Sequence, residues 1–291
     1  ILKQTGRVTE SLTAMRKSAQ LAPEDAEAHN NLGITQQELG RLEEAEASYR
    51  QAIALKPDYA EACSNFGNTL RELGRLEEAE ASYRKAIALE PSLAEAHYNL
   101  GLALKELGKL DEAEASSRQA ISLKSHPEAY NNLGSTLQEL NRVDEAEASY
   151  RQALALKPDY AEAHSNLGIT LKELGRLEEA EASYRQAIAL RPDYASAYNN
   201  LGNILPELGR LGEAEASCRH AIALQPDYAE AHNNLGVALK GLGRLEEAEV
   251  SYRQAIVLKS GLAEAHYNLG TTLREQGRLD EAAASIRHAI V

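Results

Sequence analysis

The stretch AEAHSNLGITLKELGRLEEAEASYRQAIALRPDY, Ala161 to Tyr194, decides the fold, because nearly all the rest of the chain repeats it at a spacing of 34 residues. Within it Ala163, His164, Leu167, Thr170, Leu171 and Leu174 recur at intervals of three and four, which places them on one side of a first helix, A. Gly175 follows where a helix closes through a left-handed residue, a conformation that only Gly or Asn enters cheaply, and Asn141 stands at the same corner in another copy. A second stripe, Leu177, Ala180, Tyr184, Ala187, Ile188 and Leu190, marks helix B and ends against Pro192. One such hairpin cannot bury its apolar faces alone, so the copies must stack.

Local signals agree with the stripes. Asp159 precedes Glu162 by three residues, the spacing of a capping box, and the pattern recurs as Asp58 with Glu61, Ser92 with Glu95, Ser125 with Glu128 and Asp227 with Glu230. Helix B opens on Glu178, Glu179 and Glu181 and closes on Arg185 and Arg191, the order that opposes the helix dipole.

The succession Leu167-Gly168, Ala180, Tyr184, Ala187 and Pro192 within 34 residues resembles the tetratricopeptide repeat. That resemblance implies an all-α, right-handed superhelical solenoid of antiparallel helix pairs. Eight repeats are expected to start at residues 26, 60, 94, 127, 161, 195, 229 and 263, the last stopping short at Val291. Residues 1–25 read as a partial repeat: the end of a helix A, a corner at Gly6 and a helix B. The fourth place, often Trp in the family, holds His29, Cys63, His97, Tyr130, His164, Tyr198, His232 or His266. No polar cap protects either terminal repeat. The expectation is therefore an excised piece of a longer protein, or ends that associate with one another through the uncapped repeats.

Composition narrows the function classes. The 291 residues include no Trp and one Phe, which fits a thin core of Ala, Leu and Tyr between helices. The formal charge is −13, with cations interleaved among glutamates, which argues against nucleic acid and against an anionic membrane surface. No apolar run is long enough to span a membrane and no signal-peptide pattern leads the chain, so a cytoplasmic protein is expected. Cys63 and Cys218 read as small buried thiols. Histidines spaced one to a repeat lack the pairing of a zinc site, each Gly stands alone, and no carboxylates converge; neither catalysis nor a metal or cofactor is expected.

Departures from the repeat carry the individual information. One residue is missing between Lys124 and Glu128, a change consistent with a neutral deletion or with a hinge. Pro206 falls inside a helix A, where it removes an amide donor and crowds the preceding turn, so a kink or an early end is expected. Ser117 and Cys218 replace the B-helix Tyr and should loosen their joints.

The candidate site lies on the other side of helix A, which in stacked hairpins lines the concave wall. The sixth residue of every repeat is Asn: Asn31, Asn65, Asn99, Asn132, Asn166, Asn200, Asn234 and Asn268. A carboxamide both donates and accepts, so such a column can pair with the backbone of an extended peptide. It resembles the asparagine ladder of the tetratricopeptide superhelix in O-linked N-acetylglucosamine transferases, where the ladder holds substrate peptide backbones. The other reading, bonds from these amides to the next repeat's helix, stays open. Asn30, Asn131, Asn199 and Asn233 at the fifth place, with Asn68 and Asn203 at the ninth, would widen the strip, and Tyr98 and Tyr267 would anchor side chains. The expected function is thus a non-enzymatic scaffold that captures an extended segment of another protein. The alternative is the substrate-recruiting arm of a larger, glycosyltransferase-like enzyme, and a spacer without a dedicated ligand is the third.

Overall fold

The computed structural model describes the backbone of residues 2–289 and the side chains of residues 11–289. Among these residues every regular element is a helix. The A helices are α2 (Ala26–Glu38), α4 (Ala60–Glu72), α6 (Ala94–Glu106), α8 (Pro127–Glu139), α10 (Ala161–Glu173), α12 (Ala195–Ile204), α14 (Ala229–Gly241) and α16 (Ala263–Glu275). The B helices are α1 (Leu2–Leu21), α3 (Leu42–Leu55), α5 (Leu76–Leu89), α7 (Leu110–Leu123), α9 (Val143–Leu156), α11 (Leu177–Leu190), α13 (Leu211–Leu224), α15 (Leu245–Leu258) and α17 (Leu279–His288). The chain divides into two compact bodies, Ile1–Ala153 and Leu154–Val291.

Seven corners between A and B pass through Gly with φ between 69° and 81°, and the eighth through Asn141 at 58°. The left-handed residue lets the chain reverse while satisfying orphan carbonyls: Arg176 N donates to Leu171 O at 2.8 Å and Gly175 N to Lys172 O at 2.9 Å. Pro206 ends α12 at Ile204, two residues ahead of itself, leaving the shortest of the A helices. The corner expected at Gly6 does not form, and α1 runs through it from Leu2. A glycine costs only about 1 kcal/mol inside a helix, so a lone Gly does not by itself end one.

The capping boxes are also corrected. The residue that caps α4, α10 and α14 is Tyr59, Tyr160 or Tyr228, and none makes a side-chain cap bond; Leu93 likewise caps α6 without one. The box Asp or Ser therefore stands too early to cover the first turn. In the shortened turn it is His126, not Ser125, whose Nδ1 accepts from Ala129 N at 3.3 Å. Asp25, directly ahead of α2, does cap by its carboxylate, accepting from Glu27 N at 2.9 Å.

Packing inside each hairpin centres on the B-helix Tyr, which lies flat against the Gly at the eighth place of helix A. A Cβ on Gly168 would sit 2.6 Å from the Tyr184 ring, and on Gly33, Gly67, Gly134 and Gly236 between 2.5 and 2.8 Å from Tyr49, Tyr83, Tyr150 and Tyr252. The helices approach this closely because the glycine has no side chain. Between repeats of one body the joints are filled by Leu and Ala, as where Leu70, Ala79 and Tyr83 meet Leu100, Leu104 and Ala113. Ser117 and Cys218 stand in the Tyr place and are fully buried, Cys218 beside Leu235, Leu239 and Tyr252. The joint at Ser117 gains a polar tie, since its Oγ accepts from Asn132 Nδ2 at 3.0 Å.

Along the B helices, glutamates read from sequence as a solvated face form ion pairs between layers. Glu46 takes Arg50 of its own helix at 2.8 Å and Arg75 of the next repeat at 2.9 Å. Glu80 does the same with Arg84 and Lys109, Glu114 with Arg118 and Arg142, Glu181 with Arg185 and Arg210, and Glu215 with Arg219 and Arg244. Desolvation by itself would raise the Glu46, Glu114 and Glu215 carboxyls. Hydrogen bonds from the two flanking arginines together outweigh it and hold each below 4.5. For Glu80 the Lys109 hydrogen bond is the largest influence, with Arg84 adding to it.

These carboxyls are stronger acids folded than unfolded, so their stabilisation is complete above the usual carboxylate value of 4.5 and is lost as pH falls through and below it. Thermal melting followed by circular dichroism should give a midpoint that is level near neutrality, falls below about pH 4.5, and falls less steeply in high salt. Gly67→Ala should destabilise by about 1–3 kcal/mol through overpacking against Tyr83, read as a lowered melting midpoint. A midpoint unchanged by Gly67→Ala would show that the close approach is not required.

Candidate functional site

Within each body the backbones of consecutive A helices approach one another closely, whereas consecutive B helices meet only through side chains: α2, α4, α6 and α8 form one such A row, and α10, α12, α14 and α16 the other. The A row is thus the tighter side of the stack, and the sixth-place asparagines follow it.

Their amides are not equivalent. Asn65 Nδ2 donates to Asn30 Oδ1 of the preceding repeat at 3.2 Å, Asn234 to Asn199 at 2.9 Å and Asn268 to Asn233 at 3.0 Å, while Asn132 reaches Ser117. In these four the donor end of the carboxamide is committed to the joint between layers. Asn234 is the most enclosed in bonds, its oxygen also accepting from Asn233 at 3.4 Å and from Asn203 at 3.5 Å. The side-chain amides of Asn31, Asn99 and Asn200 make no protein hydrogen bond among the described residues, and none of their polar atoms is fully enclosed. Asn166 is engaged elsewhere in the protein.

Three of the four fifth-place amides do not widen the strip. Asn30, Asn199 and Asn233 are buried, with 4 %, 6 % and 2 % of their surface exposed, and serve as acceptors for the next layer. The capping tyrosine of the following repeat lies beside them, Tyr59 near Asn30 and Tyr228 near Asn199. Burial, first among the causes, pushes both phenols above their ordinary range. At the ninth place Asn68 accepts from the Tyr83 hydroxyl at 2.8 Å, and Asn203 accepts from Lys172. Tyr98 is half-buried and meets His126 edge-on with ring centroids 5.2 Å apart, whereas Tyr267 is 55 % exposed.

Basic residues at the twelfth place are tied to the next repeat's glutamate: Arg71 to Glu106 at 3.2 Å, Lys105 to Glu139 at 3.2 Å and Lys240 to Glu275 at 2.9 Å. The rim glutamates Glu162 and Glu230 pair with Arg191 and Lys259. Three of the twelfth-place cations are therefore already partnered by carboxylates, while Lys172 is held by the Asn203 amide.

The histidines have a role that the sequence reading missed. His29, His97, His164, His232 and His266 each place Nε2 within 2.9–3.1 Å of the carbonyl of Pro23, Pro91, Pro158, Pro226 or Ser260 in the turn before their own helix. A carbonyl only accepts, so Nε2 carries the proton and the ring staples helix A to its turn. Cys63 and Cys218 are free and buried; burial pushes the Cys218 thiol up to about 12, which leaves no reactive thiolate. Among the described residues no cluster of His, Cys, Asp and Glu is placed to hold a metal, and no helix is long and apolar enough to cross a membrane.

Helical hairpins closed by a left-handed corner, with no core of their own and a row of touching A helices, define a helical-repeat solenoid of the kind used as a protein-interaction scaffold. The chain belongs to the tetratricopeptide repeat family. Models described as tetratricopeptide repeat match residues 26–59, 92–159, 125–193, 166–229, 229–261 and 263–290, and one described as TPR repeat matches 67–108. Among solved structures the chain is similar to the APC/C hetero-tetramer Cut9-Hcn1, with a TM-score of 0.73 and 15% identity over 91% of this chain, a likeness of fold. It spans about half, 52%, of that chain's length. YrrB, described as a TPR protein with an unusual peptide-binding site, is 27% identical over 63% of this chain and 95% of its own, with a TM-score of 0.52. MamA is 25% identical over 56% of this chain and 96% of its own, with a TM-score of 0.51. No curated protein matches the chain.

The two kinds of amide should respond differently to truncation. Asn234→Ala leaves the buried Asn199 without its donor and should cost about 1–3 kcal/mol in urea denaturation. Asn200→Ala should stay within about 0.5 kcal/mol of the parent.

Proposed function

We propose that the A-helix face of each body captures an extended segment of another protein, with the uncommitted sixth-place amides contacting the ligand backbone. Asn31 and Asn200, both half-exposed, carry the reading, with Asn99 beside them at only 7 % exposure: the side chain of each keeps a donor and an acceptor that no protein group uses. Asn65 and Asn268, both half-exposed, spend Nδ2 on the joint, which leaves their oxygens to accept ligand N–H groups. The joint bonds also fix these side chains, so less freedom is lost when a ligand arrives. YrrB, alike in fold and 27% identical, is described as having a peptide-binding site, which supports peptide as the class of ligand. Tyr267, exposed on the same face, is the candidate anchor for a ligand side chain in the C-terminal body. No catalytic role is assigned to any residue.

The test is capture from a displayed library of unstructured peptides by the full chain and by the triple variant Asn31→Ala, Asn99→Ala, Asn200→Ala. Binding of the selected peptides should weaken by about tenfold or more, since each lost backbone hydrogen bond is worth about 0.5–1.5 kcal/mol, while the melting midpoint holds. Equal binding by parent and variant would remove the amides from the mechanism.

A further inference from the structure

The missing residue between Lys124 and Glu128 has an outcome in the structure. Elsewhere a turn residue, Tyr59 or Tyr228, lies against the fifth-place Asn of the preceding repeat. Here the fifth place is Tyr98 and the residue opposite it is His126, the two rings meeting edge-on at 5.2 Å. The shortened link from α7 to α8 leaves a cavity of about 610 Å³ beside them, lined by Ser92, Leu93, Glu95, Tyr98, Leu123, Lys124, His126 and Glu128. It lies wholly within the N-terminal body, next along α6 to Asn99.

Resting on the peptide-capture reading above, we infer that this cavity is a specificity pocket for an arginine side chain of the captured segment. Two carboxylates, Glu95 and Glu128, face one ammonium, Lys124, so the lining favours a cation, and the charge of −13 on the whole chain draws cationic ligands to it. Glu95 is exposed and enters no ion pair, unlike Glu162 and Glu230 at the same place in their repeats. The Tyr98 ring supplies a face for a planar guanidinium. Burial foremost, with Glu128 adding to it, pushes the Tyr98 phenol up and keeps that ring neutral. Leu93 and Leu123 offer apolar walls to the aliphatic stem. The volume falls in the range of pockets that enclose small ligands.

The probe is an unstructured Gly/Ser dodecapeptide with one central Arg, titrated into the full chain while the ring C–H signals of His126, assigned with His126→Gln, are followed by NMR. The Arg peptide should shift those signals and bind roughly tenfold tighter than the same peptide with citrulline, the neutral isostere. Glu95→Gln should remove most of that difference without lowering the melting midpoint, and Tyr98→Ala should remove most of it with some loss of midpoint from the lost ring contact. An Arg peptide that leaves His126 unmoved, equal binding of the citrulline peptide, or preference for a Glu peptide would overturn the pocket. Loss of capture of every peptide, with Arg or without, would instead strike the groove reading; capture retained with no Arg preference strikes the pocket alone.

Discussion

The contact between the B-helix tyrosine and the A-helix glycine sets the geometry on which the rest depends. A ring pressed onto bare backbone brings the two helices closer than any side chain at that place would allow, and the remaining small residues, mostly alanines, complete the fit. The hairpin that results is thin. Its leucines then point outward along the stack, and only the next hairpin can cover them, so stability in each body is a property of neighbours.

Two polar systems lie on either side of that apolar layer, and they do different work. On the B side, each glutamate is shared between a cation of its own helix and one from the next repeat, a repeating bridge across the joint. On the A side, amide-to-amide bonds cross the joint from the sixth place of one repeat to the fifth of the one before. Buried amides of this kind are costly unless fully bonded, and here the bonds come from the adjacent layer. These bonds are therefore part of what holds the stack of each body in register.

Departures from the repeat are met by local substitutions of partner. Ser117 in place of Tyr draws the Asn132 amide into the joint. Tyr98 in place of Asn is met by His126 in place of Tyr, and the residue lost from that turn opens a cavity beside the pair. Pro206 shortens its helix while Leu205 stays fully buried, so the break is absorbed without exposing the core.

What the sequence by itself determined were features governed by bonds within a few residues. The left-handed corners at Gly175 and Asn141, the early stop before Pro206, and the helix pair with its apolar stripes all follow from backbone sterics and period. Even so, a glycine alone was not enough at Gly6. The tertiary structure decided everything that depends on a partner about 30 residues away: which of eight identical asparagines remain uncommitted, that the glutamates bridge layers, and that a missing turn residue makes a pocket. Identical letters at identical places acquire different roles because their hydrogen-bond partners belong to the neighbouring repeat, and a repeat's own 34 residues do not contain its neighbour.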